Sequence, residues 1–172
     1  TPTVETGPIW VALTTEAQVI FDFWATCPDC GGQQVMEFPH IKWPEGERDP
    51  QKVESQDLAW YECTHCAARW NDHKRDAAVR WGRWRARSPE HEELFDYLQK
   101  HRPRRIGFHL PAWVSRVVGL SECAAAFLKG RNDKNKLKDF NNSFAALPWK
   151  DYTVERKEEK ILLLRDHRPR GL

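Results

Sequence analysis

Two C-x-x-C turns in the first half, each preceded by strand-like sequence, and apolar residues at helical spacing in the second half predict an α+β chain. The expected architecture is a small zinc-ribbon-like β subdomain followed by a helical subdomain. Residues 1–15 read as a lead-in segment, 16–88 as the zinc-ribbon-like domain, 89–150 as the mainly helical part and 151–172 as an exit linker.

The lead-in, Thr1 to Thr15, mixes Thr, Pro and Gly with scattered apolar residues and is expected to be extended. Val19 to Thr26 is rich in β-branched and aromatic residues and runs into Cys27-Pro28, as a strand feeding a turn does. Gly31-Gly32 permits a tight turn, and Gln33 to Phe38 reads as the strand that leaves it. Pro39, Pro44, Gly46 and Pro50 break regular structure, so 39–56 is expected to be loop. Leu58 to Glu62 enters Cys63 as a third strand, and Ala67 to Trp70 leaves Cys66 as a fourth. Asn71 or Asp72 caps a short helix reaching to about Trp81, which Gly82 ends.

Ser88-Pro89-Glu90 has the Ser cap, first-position Pro and first-turn acid of a helix start, and this helix is expected to reach His101 before Pro103. Arg105 to Leu110 reads as a strand or extended segment. Ser121 is the expected cap of a helix over Glu122 to Lys129, with Gly130 as its stop. Asn132 or Asp133 caps a further helix in which Leu137, Phe140, Phe144 and Leu147 recur every three or four residues, and Pro148 ends it. Val154 to Leu172 is charged, then briefly apolar, then Arg-Pro-Arg-Gly.

The composition is that of a globular chain with a modest core: 40% hydrophobic and 30% charged residues in 172. Nine Trp and eight Phe supply large buried area per residue, which small subdomains need. No apolar run approaches the roughly 20 residues of a membrane helix, and the start lacks an initiator Met and a signal peptide, so the chain reads as a piece of a longer protein without membrane partners. Five cysteines with two C-x-x-C pairs favour a reducing compartment and a metal site over a disulfide framework.

Zinc takes four thiolate or imidazole ligands in a tetrahedron, and two C-x-x-C turns from separate hairpins supply that geometry. Cys27, Cys30, Cys63 and Cys66 are therefore the expected ligands of one structural Zn2+. Four cysteines close the shell, leaving no position for the water of a catalytic zinc. Redox dithiols and disulfides are the weaker alternatives; His65 reads as a solvated loop residue, and Cys123 as a small buried hydrophobe.

Net charge is only +2, but Arg69, Lys74, Arg75, Arg80, Arg83, Arg85 and Arg87 lie in one stretch against Asp72 and Asp76, with Trp70, Trp81 and Trp84 interleaved. Such a stretch can contact phosphates and stack on bases, or it is a solvated face whose tryptophans pack beneath. At least one of Trp81 and Trp84 is expected in the core. Lys129, Arg131, Lys134, Lys136 and Lys138 read as a solvated face. No Gly-rich phosphate loop, G-x-S-x-G or H-E-x-x-H is present, Asp22 and Asp151 are isolated acids, and His109 reads as a packed structural histidine. From these residues no catalytic site is expected, and the chain alone is expected not to be an enzyme.

Thr1-Pro2-Thr3, the paired knuckles, Gly107-Phe108-His109-Leu110, and Leu137-Lys138-Asp139-Phe140-Asn141-Asn142 followed by Pro148-Trp149 together resemble the GpA family of phage terminase large subunits. Where that family continues Gly-Phe-His-Leu with an Asn-Ala-Leu-Tyr-like run, this chain has Pro111-Ala112-Trp113. The resemblance implies a zinc-stabilised linker module between an upstream ATPase motor and a downstream endonuclease in the host bacterial cytoplasm. The implied partners are those flanking domains, double-stranded DNA, and the terminase small subunit or portal. The alternatives are a free-standing zinc-ribbon nucleic-acid-binding accessory protein, and an enzyme using Asp22, His109 or Asp151.

Overall fold

The computed structural model describes residues 2–150; Asp151 and the expected exit linker lie outside them. Strand β1, Val19–Thr26, alternates as its sequence predicts, with Val19, Phe21 and Ala25 turned inward. Around it lie β2 (Gln33–Val35), β6 (Arg83–Ala86) and β7 (Ile106–His109). Strands β2 and β6 pair antiparallel to β1, whereas β7 pairs parallel to its first half, from Val19↔Ile106 to Asp22↔His109. A second sheet of three short antiparallel strands holds β3 (Ile41–Lys42), β4 (Trp60–Glu62) and β5 (Arg69–Trp70), in that order.

The helices are α1 (Pro8–Val11), α2 (Pro50–Ser55), α3 (Asp72–Arg80), α4 (Leu94–His101), α5 (Leu120–Gly130) and α6 (Lys134–Asp139). Helix α1 continues as a π-helical turn, Ala12–Glu16, so the lead-in is helical rather than extended. Asp49 caps α2 by accepting from the Gln51 N–H at 2.9 Å, placing a helix where loop was expected. Asn71 caps α3 as predicted, its side chain accepting from Lys74 N–H at 3.0 Å. Asp133 caps α6, which runs on as a π-helical segment, Phe140–Phe144.

Two expected helix starts are displaced. Ser88 caps nothing: β6 must pair with β1, and an Arg85↔Glu93 bridge folds the chain back before α4 begins at Leu94. Ser121 lies inside α5 and its Oγ accepts from Ala59 N–H at 2.9 Å, so it joins α5 to the approach of β4.

One apolar cluster spans both halves of the chain. It contains Ala25, Cys27, Met36, Tyr61 and Trp70 together with Trp113, Leu120, Cys123, Leu128 and Phe140. The boundary expected near residue 88 is therefore no break in the core. Helix α5 fits because Cys123, Ala124 and Ala125 present small side chains, and each is wholly buried. A smaller cluster of Val19, Phe21 and Ala86 packs under Trp84, Leu94 and Tyr97.

The two ends of the described chain meet. Val4 forms a parallel bridge with Trp149, whose N–H donates to Thr3 C=O at 3.2 Å, and Lys150 pairs with Glu5 at 2.8 Å. The buried Asn142 carboxamide, oriented to satisfy its neighbours, donates to the carbonyls of Pro2 (2.9 Å), Thr3 and Leu147.

Candidate metal centre

Both C-x-x-C turns fold alike. Cys27 N–H donates to Gly32 C=O (2.8 Å) and Gly31 N–H to Cys27 C=O (2.9 Å); Cys63 N–H donates to Ala68 C=O (3.0 Å) and Ala67 N–H to Cys63 C=O (2.9 Å). The residue after the second cysteine has left-handed backbone in each, φ 72° at Gly31 and φ 56° at Ala67. Glycine accepts that conformation freely, whereas Ala67 holds it at a cost. In each knuckle the first cysteine is buried and the second exposed.

The knuckles face each other. All four Sγ atoms lie within 4.8 Å of one another, with Cys27–Cys66 at 3.8 Å and Cys30–Cys63 at 4.0 Å. Thiolates about 2.3 Å from a central zinc span tetrahedron edges of about 3.8 Å, so the donor set fits the ion. Of the four thiols only that of Cys27 is eased toward ionisation, while those of Cys30, Cys63 and Cys66 are raised. Burial raises the Cys27 thiol, but the Cys30 and Asp29 amides outweigh it and leave the pKa below the ordinary thiol value. At Cys63 burial prevails over the Cys66 and His65 amides and the pKa is raised. Gly32 N–H points at Cys30 Sγ at 3.4 Å. A cation is what allows such crowded thiols to ionise together.

Supports outside the ligands fix the pair. Gln34 of β2 accepts from both Thr64 N–H (2.8 Å) and the Thr64 hydroxyl. His65 is exposed, as expected, with Nε2 3.1 Å from Gln33 C=O. Lys74 of α3 grips Asp29 at 2.9 Å. Cys123 is remote in function: wholly buried on α5, its thiol is pushed by burial up to about 12, so it is an inert core residue.

The seven basic residues of the 69–87 stretch do not form one face. Arg75 is 1% exposed; its guanidinium binds Asp76 at 2.8 Å, Asp72 at 3.0 Å and Trp113 C=O at 2.9 Å. It is a core tether, not a surface contact, because its helical face is the one α3 turns inward. Arg87 holds Asp22 through two bonds of 2.8 and 2.6 Å, and Arg85 bonds Gln33 (2.6 Å) and Glu93 (3.4 Å). Lys74 is engaged by Asp29, and Arg69 lies 4.4 Å over the Trp60 ring. Arg80 and Arg83 have neither an ion pair nor a ring contact among the described residues.

Asp22 and His109, isolated in sequence, meet across the β1–β7 pairing with Nδ1–Oδ1 3.9 Å apart. They border a 700 Å³ hollow floored by Phe38, Trp113, Phe127 and Phe140. The parallel β7 pairing that brings them together depends on contacts 86 residues apart in sequence, such as Arg104 N–H to Gln18, and no local pattern announces it. Trp84 packs edge-on against Phe23 and Phe108, in line with a core role.

The arrangement defines an α+β chain built around a four-cysteine centre compatible with a zinc-ribbon-like site. Residues 1–84 match the family model of the phage terminase large subunit gpA ATPase domain, and residues 105–172 that of the terminase large subunit gpA endonuclease domain. The chain belongs to the gpA family of phage terminase large subunits. No curated protein and no solved structure is significantly similar to it. All four cysteines fall in the ATPase-matched stretch, and β7, α5 and α6 in the nuclease-matched one. The expectation that the chain is not an enzyme is overturned by these matches, since both stretches belong to enzyme domains and point to enzymatic terminase activity.

Proposed function

We propose that this chain is the junction of a DNA-packaging terminase large subunit, where ATPase and endonuclease sequence fold together as one zinc-stabilised body beside the DNA. The observation that carries this is the shared architecture. Strand β1, from the ATPase-matched residues, pairs with β7 of the nuclease-matched residues, and both contribute to one core. Trp113 bolts the halves together: its indole N–H donates to Met36 C=O at 2.8 Å while its own C=O accepts from Arg75. Asp72 adds a second bolt, pairing Arg75 and accepting the first α5 amide, Leu120 N–H, at 2.9 Å.

Cys27, Cys30, Cys63 and Cys66 would hold the zinc in this reading, and the ion would supply cross-linking and charge neutralisation. Through Lys74 and Asp29 the first knuckle is tied to α3, and α3 is tied through Asp72 to the start of α5 and through Arg75 to Trp113. A displacement on the ATPase side is thereby passed to the nuclease side through packed elements rather than through a flexible tether. The substrate is duplex DNA, engaged through phosphates, since a packaging enzyme acts on any sequence. No helix among the described residues is long and apolar enough to cross a membrane, in keeping with work in the host cytoplasm.

The test is made in the terminase that carries this chain. Asp72→Ala removes the α3–α5 bolt at a partly exposed position. The expected result is ATP hydrolysis near the parent rate with DNA packaging or cleavage reduced severalfold. Unchanged packaging and cleavage, in a variant whose α5 start is shown by hydrogen exchange to have opened, would refute the coupling.

A further inference from the structure

We infer that the tip Arg80-Trp81-Gly82-Arg83 is a site for DNA with unpaired bases, in which the two arginines hold phosphates and Trp81 stacks on a base. This deepens the DNA reading above and rests on it. The tip joins α3 to β6 and is singled out by subtraction: the other five basic residues of the stretch are engaged by acids, a buried carbonyl or an aromatic ring. Arg80 and Arg83 are exposed, and among the described residues Arg83 reaches only the backbone C=O of Gly82, at 3.0 Å. The nearest acids along α3, Asp72 and Asp76, both turn to Arg75 rather than to Arg80 or Arg83.

Trp81 lies between these charges and is 65% exposed, which leaves its ring open to a stacking base. Its backbone is held rigidly. Trp81 C=O accepts from the Thr26 hydroxyl at 3.0 Å and Gly82 N–H donates to Val79 C=O at 3.0 Å. Gly82 sits so close to β1 that a Cβ there would meet the Phe23 ring at 2.5 Å and Trp24 C=O at 2.7 Å. The tip is thus clamped against the sheet with its indole projected outward. A preformed aromatic platform flanked by arginines suits single-stranded nucleic acid, where every base offers a π face and phosphates follow at short intervals. A paired duplex hides those faces and offers the same tip phosphates alone.

The experiment is a fluorescence-anisotropy titration of the full chain against a labelled oligothymidine and a labelled duplex of equal length, at several salt concentrations. Trp81→Ala is expected to weaken single-strand binding at least fivefold and duplex binding less than twofold, with Trp81→Phe restoring most of the loss. The double variant Arg80→Ala/Arg83→Ala should weaken both, lowering the single-strand salt slope by about 1.4 for two lost phosphate contacts. Lys136→Ala, on the exposed face of α6, should change neither. Single-strand affinity of Trp81→Ala equal to the parent, or equal losses on both DNA forms, would overturn the inference and leave the duplex reading standing. Absence of binding to either DNA at low salt would overturn both.

Discussion

Replacing Arg75 by Met separates the structural reading of the basic stretch from the one its sequence invites. The side chain is 1% exposed and its guanidinium satisfies Trp113 C=O, Asp72 and Asp76. Methionine fills much of the space of the stem but makes none of these bonds. A buried carbonyl left without a donor costs about 1–3 kcal/mol. The two carboxylates are 40% and 35% exposed, so water takes over much of their partnership and each adds only about 0–1 kcal/mol. Asp72 also keeps Leu120 N–H. The expected loss is roughly 1–5 kcal/mol, which at a urea slope of about 2 kcal/mol/M moves the unfolding midpoint by roughly 0.5–2.5 M. Urea unfolding followed by tryptophan fluorescence reads the shift, and a parallel DNA titration below the transition reads affinity. A midpoint unchanged within error, with DNA binding weakened, would refute the tether and return Arg75 to the surface role expected from sequence.

Three further outcomes follow from the same contacts. Elemental analysis of chelator-free protein should give one zinc per chain; Cys63→Ser should lose the metal and unfold the knuckles, whereas Cys123→Ser should keep it, and a metal-free parent with intact structure would contradict this. Ala67→Gly should raise stability by about 0.5–1 kcal/mol, because φ at 56° favours glycine, and a loss in a thermal melt would show that the knuckle is not under that strain. Burial and then the neighbouring Arg87 hold the His109 pKa below its ordinary value. Its contribution to stability is therefore complete above about pH 6.5, the unfolded value, and is lost as pH falls through the lowered folded value. His109→Gln should flatten that part of the stability–pH curve, and a curve identical to the parent's would exclude His109 as its source.

What the sequence disclosed depended on how local each determinant is. The knuckles and β1 were legible because their signals, C-x-x-C spacing and a β-branched aromatic run, are contiguous; β1 spans Val19–Thr26 as expected. The Asn71 and Asp133 caps were legible for the same reason, each bonding amides two or three residues ahead. Helix α2 had a comparable signal in Asp49-Pro50, an acid cap followed by a first-position Pro, but the surrounding prolines and Gly46 obscured it. The Ser88 and Ser121 errors came from non-local competition. Ser88 follows a strand recruited by β1, and the Ser121 hydroxyl serves Ala59, 62 residues away. Arg75 and Arg80 look alike in sequence, yet their positions on α3 bury one and expose the other.

The claim that ATPase-matched and nuclease-matched residues form one body is tested most directly by native-state hydrogen exchange on the zinc-loaded chain. Amides of β1, on the ATPase-matched side, and of β7 and α5, on the nuclease-matched side, should exchange with the same opening free energy, because they share a sheet and a core. Opening of β7 and α5 at a free energy about 2 kcal/mol or more below that of β1, so that one half unfolds while the other stays protected, would contradict it.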